Sequence, residues 1–310
     1  MSAQWTQLTF KLNNGREIPA VGLGTWKSKP DDARNAVKTA LLTGYRHIDT
    51  AQAYRNEAAV GEGIKLAGVP RESIFLSTKI NNMNHKRVAE SMDESLKKLQ
   101  TDYVDLALMH WPVSFDPAEE RPTVLKDWNF TNTWREMEKL VEAGKALAIG
   151  VANFGIRNLE TLLASANVVP AVCLLELNPH CPSAKLVDFC QNKGLHVMAY
   201  TPLGSLNSPM TEDETVRSIA DAHGRTVQQV LLVWGLKRGT SVVPISTADS
   251  RIRSNFDLDG VDLTDEEMGS FSSLPARFKV WKTWWSKNVF SSDEEGRDFY
   301  DGDRLFEQKK

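Results

Sequence analysis

The feature that most constrains this chain is a regular switching between two hydrophobic periods. Short, apolar, β-rich runs recur at VGLGT (21–25), YRHID (45–49), IFLSTK (74–79), YVDLALMH (103–110), ALAIGVAN (146–153), VCLLELN (172–178), HVMAYT (196–201) and SVVPIS (241–246). Several lack polar alternation, which suits parallel strands covered on both faces. Between them lie segments with apolar residues three and four apart. DDARNAVKTALLTG (31–44) and NEAAVGEGIKLAG (56–68) stop at Gly44 and Gly68, where a helix is expected to end. KRVAESMDESLKKLQ (86–100) places Val88, Met92, Leu96 and Leu99 on one stripe. TNTWREMEKLVEAG (131–144) has Thr131 or Asn132 as its cap and Gly144 as its stop, and NLETLLASA (158–166) and SAKLVDFCQNKG (183–194) repeat the pattern. Two helical segments, DETVRSIADAHG and TVQQVLLVWGLKRG, precede the last strand, and SRIRSNF (250–256) follows it.

Strand then helix, about eight times in about 250 residues, predicts an α/β fold of the (β/α)8 barrel type. A doubly wound open sheet has the same periodicity and remains the alternative at this level. TFKLNNGREIP reads as a hairpin turning on Asn14-Gly15, suited to plugging one end of a barrel. After Leu274 the pattern breaks into a tail carrying Trp281, Trp284, Trp285, Phe290 and Phe299. It reads as a strap over the barrel or as a loop over the mouth of a site. No linker or repeat beyond the strand–helix unit divides the chain, so residues 1–310 read as one domain.

Composition narrows the function classes. The chain has 37 Lys and Arg against 40 Asp and Glu, a net charge of −3, so no global field draws it to nucleic acid or an anionic membrane. No apolar run reaches the roughly 20 residues of a membrane span, and the N-terminus has neither the basic nor the apolar region of a secretory signal. Cys173, Cys181 and Cys190 are spaced like neither a disulfide framework nor a zinc site. Reduced thiols, a cytoplasmic location and no metal are expected.

In a barrel of this kind chemistry sits where strands end. YRHID ends on Asp49, IFLSTK on Lys79 and YVDLALMH on His110, and Tyr54 follows five residues after Asp49. Strand exits are often polar for no reason but solvent, yet three consecutive exits ending in Asp, Lys and His would converge on one rim. A free phenol titrates near 10. An adjacent Lys79 ammonium is expected to lower that value, Asp49 to hold the ammonium, and His110 to donate to a substrate oxygen. This is a general acid for a developing alkoxide. Carbonyl reduction also needs a hydride, which no side chain supplies, so a cofactor is implied. No serine elbow or metal triad is present; a metal-dependent barrel hydrolase is a third reading without a ligand set. No G-x-G-x-x-G follows a strand, and Gly22 and Gly24 read as a tight strand exit. Phosphates would instead meet the loops AYTPLGS (199–205) and PISTADSRIRSN (244–255), with Ser246, Thr247, Arg251 and Arg253 near a helix start.

GYRHIDTAQAYRNEAAVG, STKI, LMHWP, IGVANF, AYTPLGS and VPISTADSRIRSN, in this order over about residues 8 to 275, resemble the aldo-keto reductases. The resemblance implies a (β/α)8 barrel, an extended nicotinamide cofactor (NADPH/NADP+), and reversible reduction of small aldehydes or ketones, usually by a monomer. It makes Tyr54 the acid and Asp49, Lys79 and His110 its partners. It assigns Asn153 and Tyr200 to the nicotinamide, Thr201, Leu203 and Ser205 to the pyrophosphate, Arg251 to the 2′-phosphate and Asn255 to the adenine, with Thr25, Asp49, Pro244, Ser246 and Thr247 as further cofactor contacts. Trp26 and Trp111, with Tyr54 and His110, would shape the substrate pocket.

Departures from the family pattern are Ala152 for the usual Ser, Cys173-Leu174 for Asn-Gln, Ile245 for Lys and Arg55 for Gly. The first two remove carboxamide partners, each net hydrogen bond being worth about 0.5–1.5 kcal/mol. Ile245 removes a phosphate charge and leaves NADH open beside NADPH. These losses motivate an alternative from another class: a cofactor-binding, redox-sensing barrel with low turnover.

Overall fold

The structure, a computed structural model, describes residues 3–120, 123–204 and 208–274. The chain opens with a hairpin, β1 (Thr9–Lys11) paired antiparallel to β2 (Glu17–Pro19). Eight parallel strands follow: β3 (Leu23–Gly24), β4 (His47–Asp49), β5 (Phe75–Ile80), β6 (Leu106–Met109), β7 (Ile149–Ala152), β8 (Val172–Glu176), β9 (His196–Tyr200) and β10 (Ser241–Val243). Each pairs with the next. The ring closes between its ends, because Gly22 N donates to Val242 O at 2.9 Å, Gly24 N to Pro244 O at 3.0 Å and Val242 N to Ala20 O at 2.8 Å. Closure excludes the open sheet.

The seam explains Gly22 and Gly24. A Cβ on Gly24 would lie 2.9 Å from the Val243 carbonyl oxygen, and one on Gly22 2.7 Å from the His47 ring. Gly24 marks a close approach of backbone and Gly22 one of a side chain, which agrees with the tight strand exit expected there.

The ten α-helices of the described residues are α1 (Pro30–Thr43), α2 (Glu57–Ala67), α3 (Val88–Leu99), α4 (Phe130–Glu142), α5 (Ile156–Leu163), α6 (Ala184–Asn192), α7 (Glu214–Ala222), α8 (Val227–Lys237), α9 (Asp249–Phe256) and α10 (Asp265–Ser272). The apolar stripe of α3 is buried as its spacing requires. Two details differ from the sequence reading. The cap of α4 is Asn129, whose side chain accepts from Thr131 N and Asn132 N while Asn132 reaches back to the cap. Helix α10 was not anticipated; its signal is Thr264 followed three residues later by Glu267, a reciprocal capping box. The aromatic tail and Ser205 lie outside the described residues. Among the described residues no helix is long and apolar enough to cross a membrane.

Two apolar layers hold the barrel. The outer one lies between strands and helices. The inner one fills the lumen with Phe75, Leu106, Leu108, Val172, Leu174, Met198 and Val243, and the hairpin seals its end with Leu12 and Ile18. The hairpin is therefore the plug its position in sequence suggested. Two imidazoles share this end. His47 packs edge-on against Phe75 with ring centroids 5.0 Å apart, and its Nδ1 lies 3.4 Å from Pro19 O. His196 lies 4.9 Å from the Phe10 ring, with its Nε2 2.8 Å from Ser241 Oγ.

Burial depresses both, His47 to about 4 and His196 to about 3. The unfolded chain, titrating near 6.5, then binds more protons than the folded one over the interval below that pH. Stability is complete above about pH 6.5 and falls as pH drops toward the folded values, by up to about 1.4 kcal/mol per pH unit for each imidazole. Thermal melts should show a clearly lower Tm at pH 5 than at pH 7. Equal midpoints would mean these rings are not held neutral.

Candidate active site

The register of β4 on β5 builds the centre. Asp49 pairs with Ser77, and Lys79, two residues on, projects from the same face as Ser77. Lys79 Nζ donates to Asp49 Oδ2 at 2.6 Å and to Thr50 O at 2.7 Å, while Ser77 Oγ donates to Asp49 Oδ1 at 2.7 Å. The pair is almost wholly buried, with side chains 1% and 5% exposed. Tyr54 ends a short 3-10 turn, Gln52–Tyr54, in the loop after β4. Lys79 Nζ lies 4.9 Å from the centroid of its ring. His110 follows β6 directly, its ring 5.8 Å from that of Tyr54 and nearly perpendicular at 80°. All four sequence-predicted residues meet at one rim.

The electrostatics differ from the sequence expectation in one respect. Burial raises the Tyr54 phenol more than Lys79 lowers it, and Asp49 adds to the rise, so the net shift is upward. The phenol is a firmly protonated donor at neutral pH rather than one poised to ionise. For Lys79, burial pulls downward, but the Asp49 carboxylate and then the Tyr54 oxygen outweigh it, and the ammonium stays charged. Burial, then the Lys79 charge, lowers His110 to about 3, so its imidazole is neutral.

These groups open on a cavity of about 370 Å³. Trp26 and Trp111 line it, as do Asn153 and Tyr200. Asn153 is fixed from two sides: its Nδ2 donates to His110 O at 3.0 Å, and Tyr200 Oη donates to its Oδ1 at 2.7 Å. Leu174 reaches the cavity where the resemblance led one to expect an amide, whereas Cys173 points into the outer core. Ile245 also lines the cavity. Sequence reasoning missed Asn81, Asn82, Met83 and Phe115, which complete the wall. The signal for the first three was available, since NNMN follows directly on the strand that carries Lys79.

Of the residues assigned to a nicotinamide dinucleotide, Asp49, Asn153, Tyr200 and Thr201 line this cavity. Thr201 has a left-handed φ of 46° and a buried Oγ1 without a hydrogen-bond partner. A β-branched residue in that conformation is strained, and its orphaned hydroxyl fits a missing polar partner. Helix α9 begins at Asp249 after Ala248, which provides no side-chain cap, and Arg251 is exposed on its first turn. Such a terminus favours an anion. Ser246 is buried nearby and contacts Ala248 N, Thr247 is exposed, Pro244 is buried, and Asn255 is buried on α9. Arg253 is turned to Thr43 Oγ1 at 3.3 Å. Leu203 packs on the outer core, and Thr25 is buried with its Oγ1 on Asp49 O at 3.1 Å. The donor set fits a phosphate-bearing dinucleotide.

Arg55, directly after Tyr54, has a φ of 58° and is exposed. The glycine common at this position in the family thus answers a backbone demand. A non-glycine residue there costs of order 1–3 kcal/mol. Arg55→Gly should raise stability by roughly 1 kcal/mol, read from urea unfolding; a loss of stability would show that the Arg55 side chain makes up for its strain.

Comparison with known proteins bears on this geometry. The model of the aldo/keto reductase family matches residues 20–275. The chain is 45% identical to a D-galacturonate reductase of Hypocrea jecorina over 84% of this chain and 88% of that protein. It is 41% identical to a glycerol 2-dehydrogenase (NADP(+)) of Saccharomyces cerevisiae over 89% of this chain and 95% of the relative. Among solved structures, an aldose reductase of Schistosoma japonicum superposes with a TM-score of 0.86 at 37% identity, covering 91% of this chain and 97% of that one. A Bombyx mori aldo-keto reductase in complex with NADP gives 0.85 at 34% identity, covering 90% and 97%. The chain belongs to the aldo/keto reductase family.

Proposed function

We propose that this protein is a single-domain, monomeric, cytoplasmic reductase that uses NADPH to convert small aldehydes or ketones to alcohols. The observation that carries the reading is a half-buried phenol, held protonated, beside an ammonium that a carboxylate keeps charged, with a neutral imidazole across the same cavity. Relatives with NADP in their names or complexes support the cofactor. The buried thiols of Cys173, Cys181 and Cys190, none of them in a disulfide, suit a reducing compartment.

The nicotinamide supplies the hydride when bound. The chain's own residues manage the oxygen. The substrate carbonyl oxygen lies between the Tyr54 hydroxyl and the His110 ring, and both donate to it. Tyr54 transfers its proton as negative charge develops there. The phenolate left behind is stabilised by Lys79, whose charge Asp49 maintains. Burial raises the phenol in the resting protein, so the proton leaves only when an alkoxide claims it. Asn153, pinned by Tyr200 and the His110 carbonyl, would hold the nicotinamide amide, with Thr201 and the start of α9 along the phosphates and Arg251 on the 2′-phosphate. Support for turnover over sensing comes from the convergence of all four polar groups on one cavity.

Tyr54→Phe should lower kcat by roughly 10²–10⁴-fold, while titration of intrinsic fluorescence with NADPH gives a nearly unchanged Kd; wild-type turnover in that variant removes the acid. Arg251→Ala should weaken NADPH binding about tenfold or more, the scale of one charge-assisted contact to phosphate, and leave NADH binding as it was. Equal losses for both cofactors would deny Arg251 a 2′-phosphate role.

A further inference from the structure

The phenol at the centre of the site stands on a short support. Tyr54 ends a single 3-10 turn, Gln52–Tyr54, closed by Tyr54 N on Ala51 O at 3.0 Å and by Arg55 N on Gln52 O at 3.2 Å. One such turn has poor hydrogen-bond geometry and little rigidity of its own. Arg55 leaves it with a left-handed φ of 58°, and Ala53 and Arg55, on either side of Tyr54, are exposed. The position of the phenol therefore depends on what holds the residues around it.

Gln52 is the hub. A glutamine amide has two donor and two acceptor positions, and here all are used. Nε2 donates to Ser91 O and to Ser95 Oγ, both at 3.0 Å. Oε1 accepts from Asn81 N and from Asn84 Nδ2, both at 2.9 Å. The first two partners lie on α3 and the other two on the segment leaving β5. Ser95 Oγ passes the contact on, donating to Glu57 Oε2 at 3.2 Å, and Thr78 Oγ1 donates to Glu57 Oε1 at 2.7 Å. Glu57 opens α2, three residues after Tyr54, and is 2% exposed. Thr78 lies between Ser77 and Lys79 on β5, so its side chain leaves the opposite face of the strand. The path Gln52–Ser95–Glu57–Thr78 thus grips the chain on both sides of Tyr54 and ends on the strand that carries Lys79. None of these four residues lines the cavity.

We infer that Gln52 is a positioning residue for proton transfer: its amide, backed by Ser95, Glu57 and Thr78, aims the Tyr54 hydroxyl from outside the cavity. A displacement of about 1 Å imposed from outside a site can cost on the order of 10²-fold in rate, and a lone 3-10 turn released from its anchors has that freedom. An amide with every position filled also stabilises the fold, but the two roles differ in one respect. Positioning acts through the Tyr54 hydroxyl, whereas stability acts without it. The inference rests on the reductase reading above and adds what aims its acid.

The test is a double-mutant cycle, which isolates the coupling between two residues. The kcat for propanal with saturating NADPH is measured for Gln52→Ala in the wild-type and in the Tyr54→Phe background. It should fall roughly 10- to 100-fold in the first and by less than about twofold in the second, because residues that act as one unit are not additive. Fluorescence titration should give the Gln52→Ala variant an NADPH Kd within about twofold of wild type. The same fold loss in both backgrounds, or no loss in the first, overturns the inference. Gln52 also holds Asn81 N, and Asn81 lines the cavity, so Ser95→Ala, which leaves that contact in place, is the second variant and carries the cycle if Gln52→Ala does not fold. Its loss should be about fivefold, the scale of one hydrogen bond, and should likewise vanish without the Tyr54 hydroxyl. Propanal turnover by wild type upholds the reductase whichever way the cycle falls; no turnover by wild type overturns the reductase reading and this inference with it.

Discussion

One buried ammonium organises the catalytic end of this barrel. Lys79 donates to Asp49 and to the Thr50 carbonyl and sits 4.9 Å from the centroid of the Tyr54 ring. Removing two ions from water costs several kcal/mol each, and attraction repays this only where the remaining polar sites are satisfied. Here they are, because Ser77 occupies the second carboxylate oxygen. The satisfaction depends on strand register. A slip of one residue between β4 and β5 would turn Ser77 and Lys79 to the outer face and leave Asp49 buried and alone. Closure of the ring through Gly22 and Gly24 is what keeps that register in place.

The same burial sets the acid. An exposed phenol beside an ammonium would drift toward phenolate. Inside the rim, desolvation acts against the phenolate more strongly than Lys79 acts for it. The imidazole of His110 is driven neutral by the same medium, with the ammonium reinforcing the effect. One low-dielectric setting therefore gives two neutral donors around one fixed cation. A developing alkoxide meets donors that needed no reorganisation.

Most of the architecture was legible because it is periodic. Strand order, helix order and the plug follow from spacing and one Asn-Gly turn, and three strand exits pointed to Asp49, Lys79 and His110. What escaped has identifiable causes. Periodicity cannot tell a closed ring from an open sheet; that depends on hydrogen bonds between Ala20–Gly24 and Val242–Pro244, far apart in sequence. The direction of the Tyr54 shift was misjudged because a sequence names the neighbouring charge but not the depth of burial. Asn81 and Asn82 look like ordinary loop residues until Gln52 and Val113 are seen to hold them. Leu174, in place of the usual Gln, reaches the cavity, while strand alternation turns Cys173 into the outer core.

Backbone strain shows how the barrel divides its labour. Six non-glycine residues among those described have left-handed φ: Lys27, Arg55, Gln100, Asn153, Ser183 and Thr201. Gln100 caps the end of α3, where such a conformation is commonplace. The other five lie in loops leaving the C-terminal ends of β3, β4, β7, β8 and β9. At the opposite end only Gln100, in the loop from α3 into β6, has such a φ; that end is closed by a hairpin, apolar side chains and two neutral imidazoles. Strain persists only where surrounding structure over-determines it. The plugged end and the two apolar layers supply that excess of stability, and the rim uses it to hold Asn153 and Thr201 in conformations that their sequence alone would not choose. A ligand that satisfied the orphaned Thr201 hydroxyl would remove a penalty the resting protein carries, so cofactor binding and global stability should be coupled through this one turn.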